Sequence, residues 1–285
     1  MPLYRSAAQN FRFPYSIPEL APFAANETVS STALFAPNSF RKNELISRAK
    51  GWVGGAQRKV ETWSAPAGVL LKVEDGSDFY ISSDGQTIRR SEGKLDLQKL
   101  DREILVGPVL VLALALRGVW SLHASAAMYK ENIVVFLGES GQGKSTLAAY
   151  LSQNKDWRLV TDDILPTEID ASGVYVLPHF PQLKLPMDAQ PCIGLPERLP
   201  LKTICVLAPA APDVAPELQA LTTAQGVQTL LSHIAGTRLF SAELLAKHLE
   251  FSAQVGKQIP AYRLVYPHRR DTLPLVKEFL EKICR

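Results

Sequence analysis

The chain has 285 residues, is 46% hydrophobic and 21% charged, and carries a formal net charge of +3. That balance is ordinary for a globular protein with a sizeable core, and basic residues scattered this evenly exclude an obvious nucleic-acid footprint. Cys192, Cys205 and Cys284 are odd in number and far apart with no Cys-x-x-Cys, which argues against a disulfide framework or zinc site and fits a reducing cytoplasm.

The chain starts Met1-Pro2-Leu3-Tyr4-Arg5 with no apolar run behind it, so no signal peptide is expected. Residues 1 to about 50 are rich in Pro, Ala, Asn and Ser, punctuated by Phe11, Phe13, Tyr15, Leu20 and Phe23. Short strands and irregular chain are expected there. From about Trp52 to Arg90 the pattern becomes a β-meander, with strands at Val69 to Glu74, Phe79 to Ser82 and Thr87 to Arg89 and turns at Asp75-Gly76 and Asp84-Gly85. Residues 1–94 therefore read as a small antiparallel β domain, serving either as a cover or docking module or as a structural addition.

The remainder, 95–285, reads as a second domain of α/β type. It opens with a helix from Leu95 to Gly118, amphipathic first and then apolar nearly all round. Its most apolar part, Ile104 to Leu116, is 13 residues long and contains Gly107-Pro108. A bilayer needs about 20 helical residues, so a buried helix is expected and no membrane span. Two strand-like runs follow, Val119 to Tyr129 and Asn132 to Leu137, joined as a hairpin at Lys130-Glu131-Asn132.

This hairpin leads into Gly138-Glu139-Ser140-Gly141-Gln142-Gly143-Lys144-Ser145-Thr146, a full match to the phosphate-loop pattern G-x-x-x-x-G-K-[ST]. The context fits too, with an apolar strand before and a helix from Thr146 to Leu151 after. Glycines allow the sharp turn that points successive N–H groups and a helix N-terminus at negative charge. Lys144 is expected to reach the β and γ phosphates of a nucleotide, and the Ser145 hydroxyl to ligate Mg²⁺.

Beyond the loop helix, Trp157 to Thr161 reads as a strand ending in Asp162-Asp163, 18 and 19 residues past Lys144. An α/β sheet places its ligand site at such an end. One carboxylate there suits Mg²⁺, and a second suits accepting a proton from an attacking hydroxyl. The plainer alternative is a solvated turn or a helix cap. His123, in the hairpin 15 residues before Gly138, is a further candidate beside the alternative of a satisfied core histidine. Lys184 and Arg263 are strand residues that could supply positive charge, as could His268 with Arg269-Arg270. His179, His233 and His248 lack metal-ligand spacing and are expected to be structural or exposed. Further strands are expected at Val174 to Leu177, Gln182 to Leu185, Lys202 to Leu207 and Ala261 to Tyr266. Helices are expected at Thr222 to Ile234, Ser241 to Val255 and Leu273 to Ile283.

These segments resemble the HPr kinase/phosphorylase family and its looser relatives, whose core is similar to phosphoenolpyruvate carboxykinase. The resemblance is carried by His123-Ala124-Ser125-Ala126, by Gly138 to Ser145 and by Arg158-Leu159-Val160-Thr161-Asp162-Asp163. It extends to Phe180-Pro181-Gln182-Leu183-Lys184-Leu185-Pro186 and Ile259-Pro260-Ala261-Tyr262-Arg263-Leu264. The resemblance implies a P-loop kinase core with a mixed sheet, using ATP and Mg²⁺ to phosphorylate a serine hydroxyl on a peptide or protein. It implies Asp162 as general base and Asp163 as metal partner with Ser145, and His123 as a site residue. Family members often assemble, so a homo-oligomer is an open expectation. The family's Glu-x-Arg signature is replaced here by Gln182-Leu183-Lys184, which puts phosphorylase activity and HPr as substrate in doubt. Tyr4 and Ile17-Pro18-Glu19-Leu20 look instead like stand-alone relatives that act on ribosomally made peptides, including kinases of lasso-peptide precursors. Two other readings stay open: a small-molecule kinase on the same fold, and a nucleotide-binding regulator without turnover. A transporter-type ATPase is disfavoured, since neither an LSGGQ-like signature nor a late strand ending Asp-Glu is present.

Overall fold

A computed structural model of the chain describes residues 3–13, 16–25, 42–91, 97–185 and 190–284. Its residues cluster into two compact units. One comprises Met1–Ser121, Leu185–Gln190 and Ala235–Lys247; the other comprises Leu122–Lys184, Pro191–Ile234 and His248–Arg285. The positions Tyr15, Leu95 and Pro186, named above, lie outside the described residues.

In the first unit, a short hairpin of β1 (Leu3–Ser6) and β2 (Gln9–Arg12) is followed by a 3-10 turn at Pro18–Phe23. The buried Tyr4 hydroxyl accepts the Ile17 N–H at 2.9 Å and so holds the start of that turn. An antiparallel meander then runs β3 (Leu45–Val53), β4 (Ala56–Ala65), β5 (Gly68–Val73), β6 (Phe79–Ser82) and β7 (Ile88–Arg90), paired in chain order. It starts earlier than Trp52, because in β3 the exposed Arg48, Lys50 and Trp52 alternate with Ala49 and Gly51, residues too small to give an apolar period. Leu71, Phe79, Ile81 and Ile88 close its core.

The expected long helix is broken into α1 (Lys99–Ile104), a wide turn at Leu105–Val109 and α2 (Leu110–Leu116). Gly107 has φ −96° and ψ −107°, and Pro108 lacks an N–H, so the helical ladder cannot continue through them. Asp101 ties α1 to the meander, accepting from the Ser77 N–H and hydroxyl at 2.8 Å each and pairing with Arg90 at 3.4 Å. Among the described residues, no helix is long and apolar enough to cross a membrane.

The second unit is mixed α/β. Its strands are β8 (Trp120–His123, which begins in the first unit), β9 (Ser125–Tyr129), β10 (Asn132–Leu137), β11 (Trp157–Thr161), β12 (Ile164–Asp170), β13 (Gly173–Val176), β14 (Leu199–Pro209), β15 (Glu217–Ala220) and β16 (Ala261–Tyr266). They form one mixed sheet ordered β11-β9-β10-β14-β13-β12-β8, with β16 beside β14 and β15 beside β16. The helices are α3 (Lys144–Ser152), α4 (Thr223–His233), α5 (Ala242–Gln258, which begins in the first unit) and α6 (Leu273–Ile283). Where one strand was expected from Val119 to Tyr129 there are two, because Ala124 leaves the ladder and its N–H donates to the Asp163 carbonyl at 3.0 Å. Gln182 to Leu185, expected as a strand, is a turn instead: Pro181 precedes it, and the Gln182 carboxamide binds backbone groups that a strand ladder would have used.

The register decides which ends meet. Strands β10, β14 and β16 are mutually parallel, while β9 runs antiparallel to both β10 and β11. The C-terminal ends of β10 and β11 and the N-terminal end of β9 therefore share one edge of the sheet. Leu147, Ala148 and Leu151 of α3 pack with Leu273, Val276 and Leu280 of α6 on Val134, Phe136, Leu207 and Leu264. Each Leu, Val or Phe buried in this way contributes about 1.5–3 kcal/mol, and together they fix the direction in which α3 presents its N-terminus.

Candidate functional site

The chain leaves β10 at Leu137 and turns through Gly138 to Gly143 before α3 begins at Lys144. Gly138 has φ +152°, and a Cβ there would lie 2.5 Å from the Gln142 Oε1. That same oxygen accepts the Glu139 N–H at 2.8 Å, so Gln142 closes the loop on itself. Gly143, at φ +80°, caps α3 in a left-handed conformation. Lys144 is 9% exposed, and its ammonium donates to the carbonyls of Gly138 at 2.7 Å and Glu139 at 3.1 Å. The Ser145 and Thr146 side chains at the first turn of α3 are exposed.

The acids arrive from β11. The Ser125 hydroxyl, fully buried at the start of β9, donates to Asp162 Oδ1 at 3.1 Å. Asp163 Oδ1 accepts from Lys184 Nζ at 2.7 Å and lies 3.4 Å from His123 Nδ1. A cleft of about 220 Å³ is lined by His123, Ser140, Gly141, Gly143, Lys144, Ser145, Thr146, Asp162, Asp163 and Lys184. A larger cavity of about 500 Å³, lined mainly by Arg48, Lys50, Arg58 and Lys59, lies on the β3–β4 hairpin and shares no residue with it.

The site's charges act on one another. Burial lowers the His123 pKa from its ordinary value, and Lys144 and Lys184 push it the same way, while Asp163 and Glu139 oppose them. The imidazole is therefore neutral at neutral pH. Burial also lowers the Lys144 pKa, aided by Lys184 and opposed by Glu139, Asp163 and Asp162. The His233 pKa is lowered by burial, with smaller influences from Glu139, Lys144 and His123.

Of the residues singled out in the sequence, His123, Ser140, Gly141, Gly143, Lys144, Ser145, Thr146, Asp162, Asp163 and Lys184 are brought together. Gly138, Glu139 and Gln142 shape the loop without lining the cleft. Arg263 is not brought in: it is exposed in mid-β16 opposite Val206 and Gln219. His248 is buried, and His179 bonds the Leu195 carbonyl at 2.9 Å. Ser125 and Gln182 were not singled out for these contacts; their partners are 37 and about 20 residues away in the chain, beyond any local pattern.

The donors suit a hard cation. Ser145 and two carboxylates offer oxygen ligands to one cleft, and Mg²⁺ ordinarily takes one or two carboxylates together with substrate phosphates and water. Among the described residues, no group of three or more His, Cys, Asp and Glu could by itself hold a metal.

No protein-family model and no curated protein matches the chain. Among solved structures, the Hpr(Ser) kinase/phosphatase from Coxiella burnetii is similar over 57% of this chain and 94% of its own, at 12% sequence identity and a TM-score of 0.32.

Proposed function

We propose that the chain is an ATP- and Mg²⁺-dependent phosphotransferase that moves the γ-phosphate to a serine hydroxyl of a peptide or protein. One observation carries this reading: a glycine loop with its lysine, the hydroxyl of Ser145 and the pair Asp162-Asp163 line the same small cleft. Phosphoryl transfer asks little more of a protein than this positioning and charge compensation. The loop amides of Ser140 to Lys144 and the Lys144 ammonium would hold the phosphates. Ser145 and Asp163 would hold Mg²⁺, which when bound bridges phosphate oxygens and offsets their charge.

Asp162 is assigned as general base and Asp163 as metal partner. What supports this division is the difference in partners: the neutral Ser125 hydroxyl donates to the Asp162 carboxylate, whereas the Lys184 ammonium pairs with that of Asp163. His123, neutral and beside Asp163, orients that carboxylate. The fold proposed for this core is that of the HPr kinase and carboxykinase group, with residues 1–94 as an accessory β domain. A C-terminal serine of a ribosomally made precursor, such as a lasso peptide, is the proposed acceptor.

The test is incubation with ATP and Mg²⁺ against peptides carrying a terminal serine, an internal serine or none, read by mass spectrometry. Phosphate added only to serine peptides is expected. Phosphate on a small alcohol but on no peptide would move the assignment to a small-molecule kinase. Tight ATP binding with no transfer to any acceptor would leave a regulator.

A further inference from the structure

Gln182 is 2% exposed, and its carboxamide is engaged by backbone groups of the turn that bears the acids and by the Phe180 carbonyl. Its Oε1 accepts from three consecutive N–H groups, those of Asp162, Asp163 and Ile164, at 3.2, 2.9 and 3.3 Å. Its Nε2 donates to the carbonyls of Ile164 at 2.9 Å and Phe180 at 3.0 Å. A carboxamide has two N–H donors and one accepting oxygen, so both donors are spent and the oxygen is shared three ways. Three successive amides aimed at one point curl the backbone into a concave nest, a shape no strand adopts. The orientation of those peptide planes sets the directions in which the Asp162 and Asp163 side chains leave the chain.

The other contacts near the acids act elsewhere. Ser125 holds the Asp162 carboxylate and Lys184 that of Asp163, while Thr161 Oγ1 donates to the Ile164 carbonyl at 2.9 Å. Among the side-chain contacts described for the turn, those of Gln182 alone engage the N–H groups of both aspartates. We infer that Gln182 is a positioning residue that aims Asp162 and Asp163 into the Lys144 cleft by gripping the backbone of the turn that carries them. This rests on the phosphotransfer reading above.

Two substitutions separate this role from simple stability. Gln182→Ala removes the grip, and supporting contacts of this kind typically carry about 10–100-fold in activity. Gln182→Met keeps much of the side-chain volume, but its thioether is only a weak acceptor and has no donor, so it cannot hold the three amides or the two carbonyls.

The experiment compares wild type, Gln182→Ala and Gln182→Met by thermal melting, by the Kd for MgATP and by kcat and KM against a serine peptide. The expected result is a kcat lowered about 10–100-fold in both variants, with the Kd for MgATP and the KM for the peptide changed far less. Should Gln182→Ala not fold, Gln182→Met decides. A folded variant of either kind with wild-type kcat overturns the inference while leaving the phosphotransfer reading intact. Wild-type protein that transfers no phosphate overturns that reading and the inference with it.

Discussion

Replacing Lys144 by alanine sets fold and function against each other. The ammonium donates to two loop carbonyls at 2.7 and 3.1 Å, and charged hydrogen bonds of this kind are worth about 1.5–3 kcal/mol each when their loss leaves partners unmet. Two effects offset that cost: both carbonyls belong to a loop at a cleft that water can enter, and burial already disfavours the charged amine, as its lowered pKa records. The net change in stability is expected to be about 1 kcal/mol, a melting shift of about 2–4 °C for a chain of this size.

The ligand term is larger. An ammonium about 4 Å from a phosphate charge, at an effective dielectric of about 20, contributes about 4 kcal/mol. If that contribution is realised chiefly in the transition state, transfer falls by about a thousandfold. The assay pairs thermal melting with a phosphate-transfer rate on the same preparation. A Lys144→Ala protein that melts normally and turns over at the parental rate would refute the assignment. One that does not fold would show that the lysine serves the loop rather than a ligand.

Further outcomes are expected elsewhere in the chain. Asp162→Asn should lower turnover by about a hundredfold or more while leaving MgATP binding within a few-fold, as for loss of a general base; equal loss of both would assign Asp162 to the metal. The pKa values of His123, His233 and His248 all lie below the ordinary 6.5 through burial. The unfolded chain therefore binds more protons in that window, and stability should be fully present above about pH 6.5 and decline as pH falls toward the folded values. Melting curves across pH 5 to 8 check this, and a midpoint that rises on acidification would contradict it. The three cysteines are buried, with Cys192 and Cys284 pushed up to about 11 and Cys205 also raised. A thiol reagent at neutral pH should label none of them in the folded protein and all three in denaturant.

What the sequence determines by itself is local. The strand Asn132–Leu137, the glycine loop and the helix, expected from Thr146 and starting at Lys144, are legible because β-branched run, turn residues and helix start follow one another directly. The closing strand Ala261–Tyr266 and the helix Leu273–Ile283 match their expected limits for the same reason, a clear period of 2 or 3.6 over an uninterrupted stretch. The break at Gly107-Pro108 was visible as residues but not as geometry, since either residue alone can be accommodated in a helix that neighbours support.

Only the tertiary structure decides the rest. That β9 is antiparallel while β11 is parallel to β10 depends on pairing across the sheet, and this is what puts His123, Ser125 and the two acids at the edge where the Lys144 loop emerges. Ser125 and Gln182 have no signature of their own, because their partners are set by hydrogen-bond geometry between distant segments and not by spacing along the chain. Arg263 illustrates the converse: its strand is correctly placed, yet a strand sends alternate side chains to opposite faces, and the register leaves this one exposed beyond the cleft.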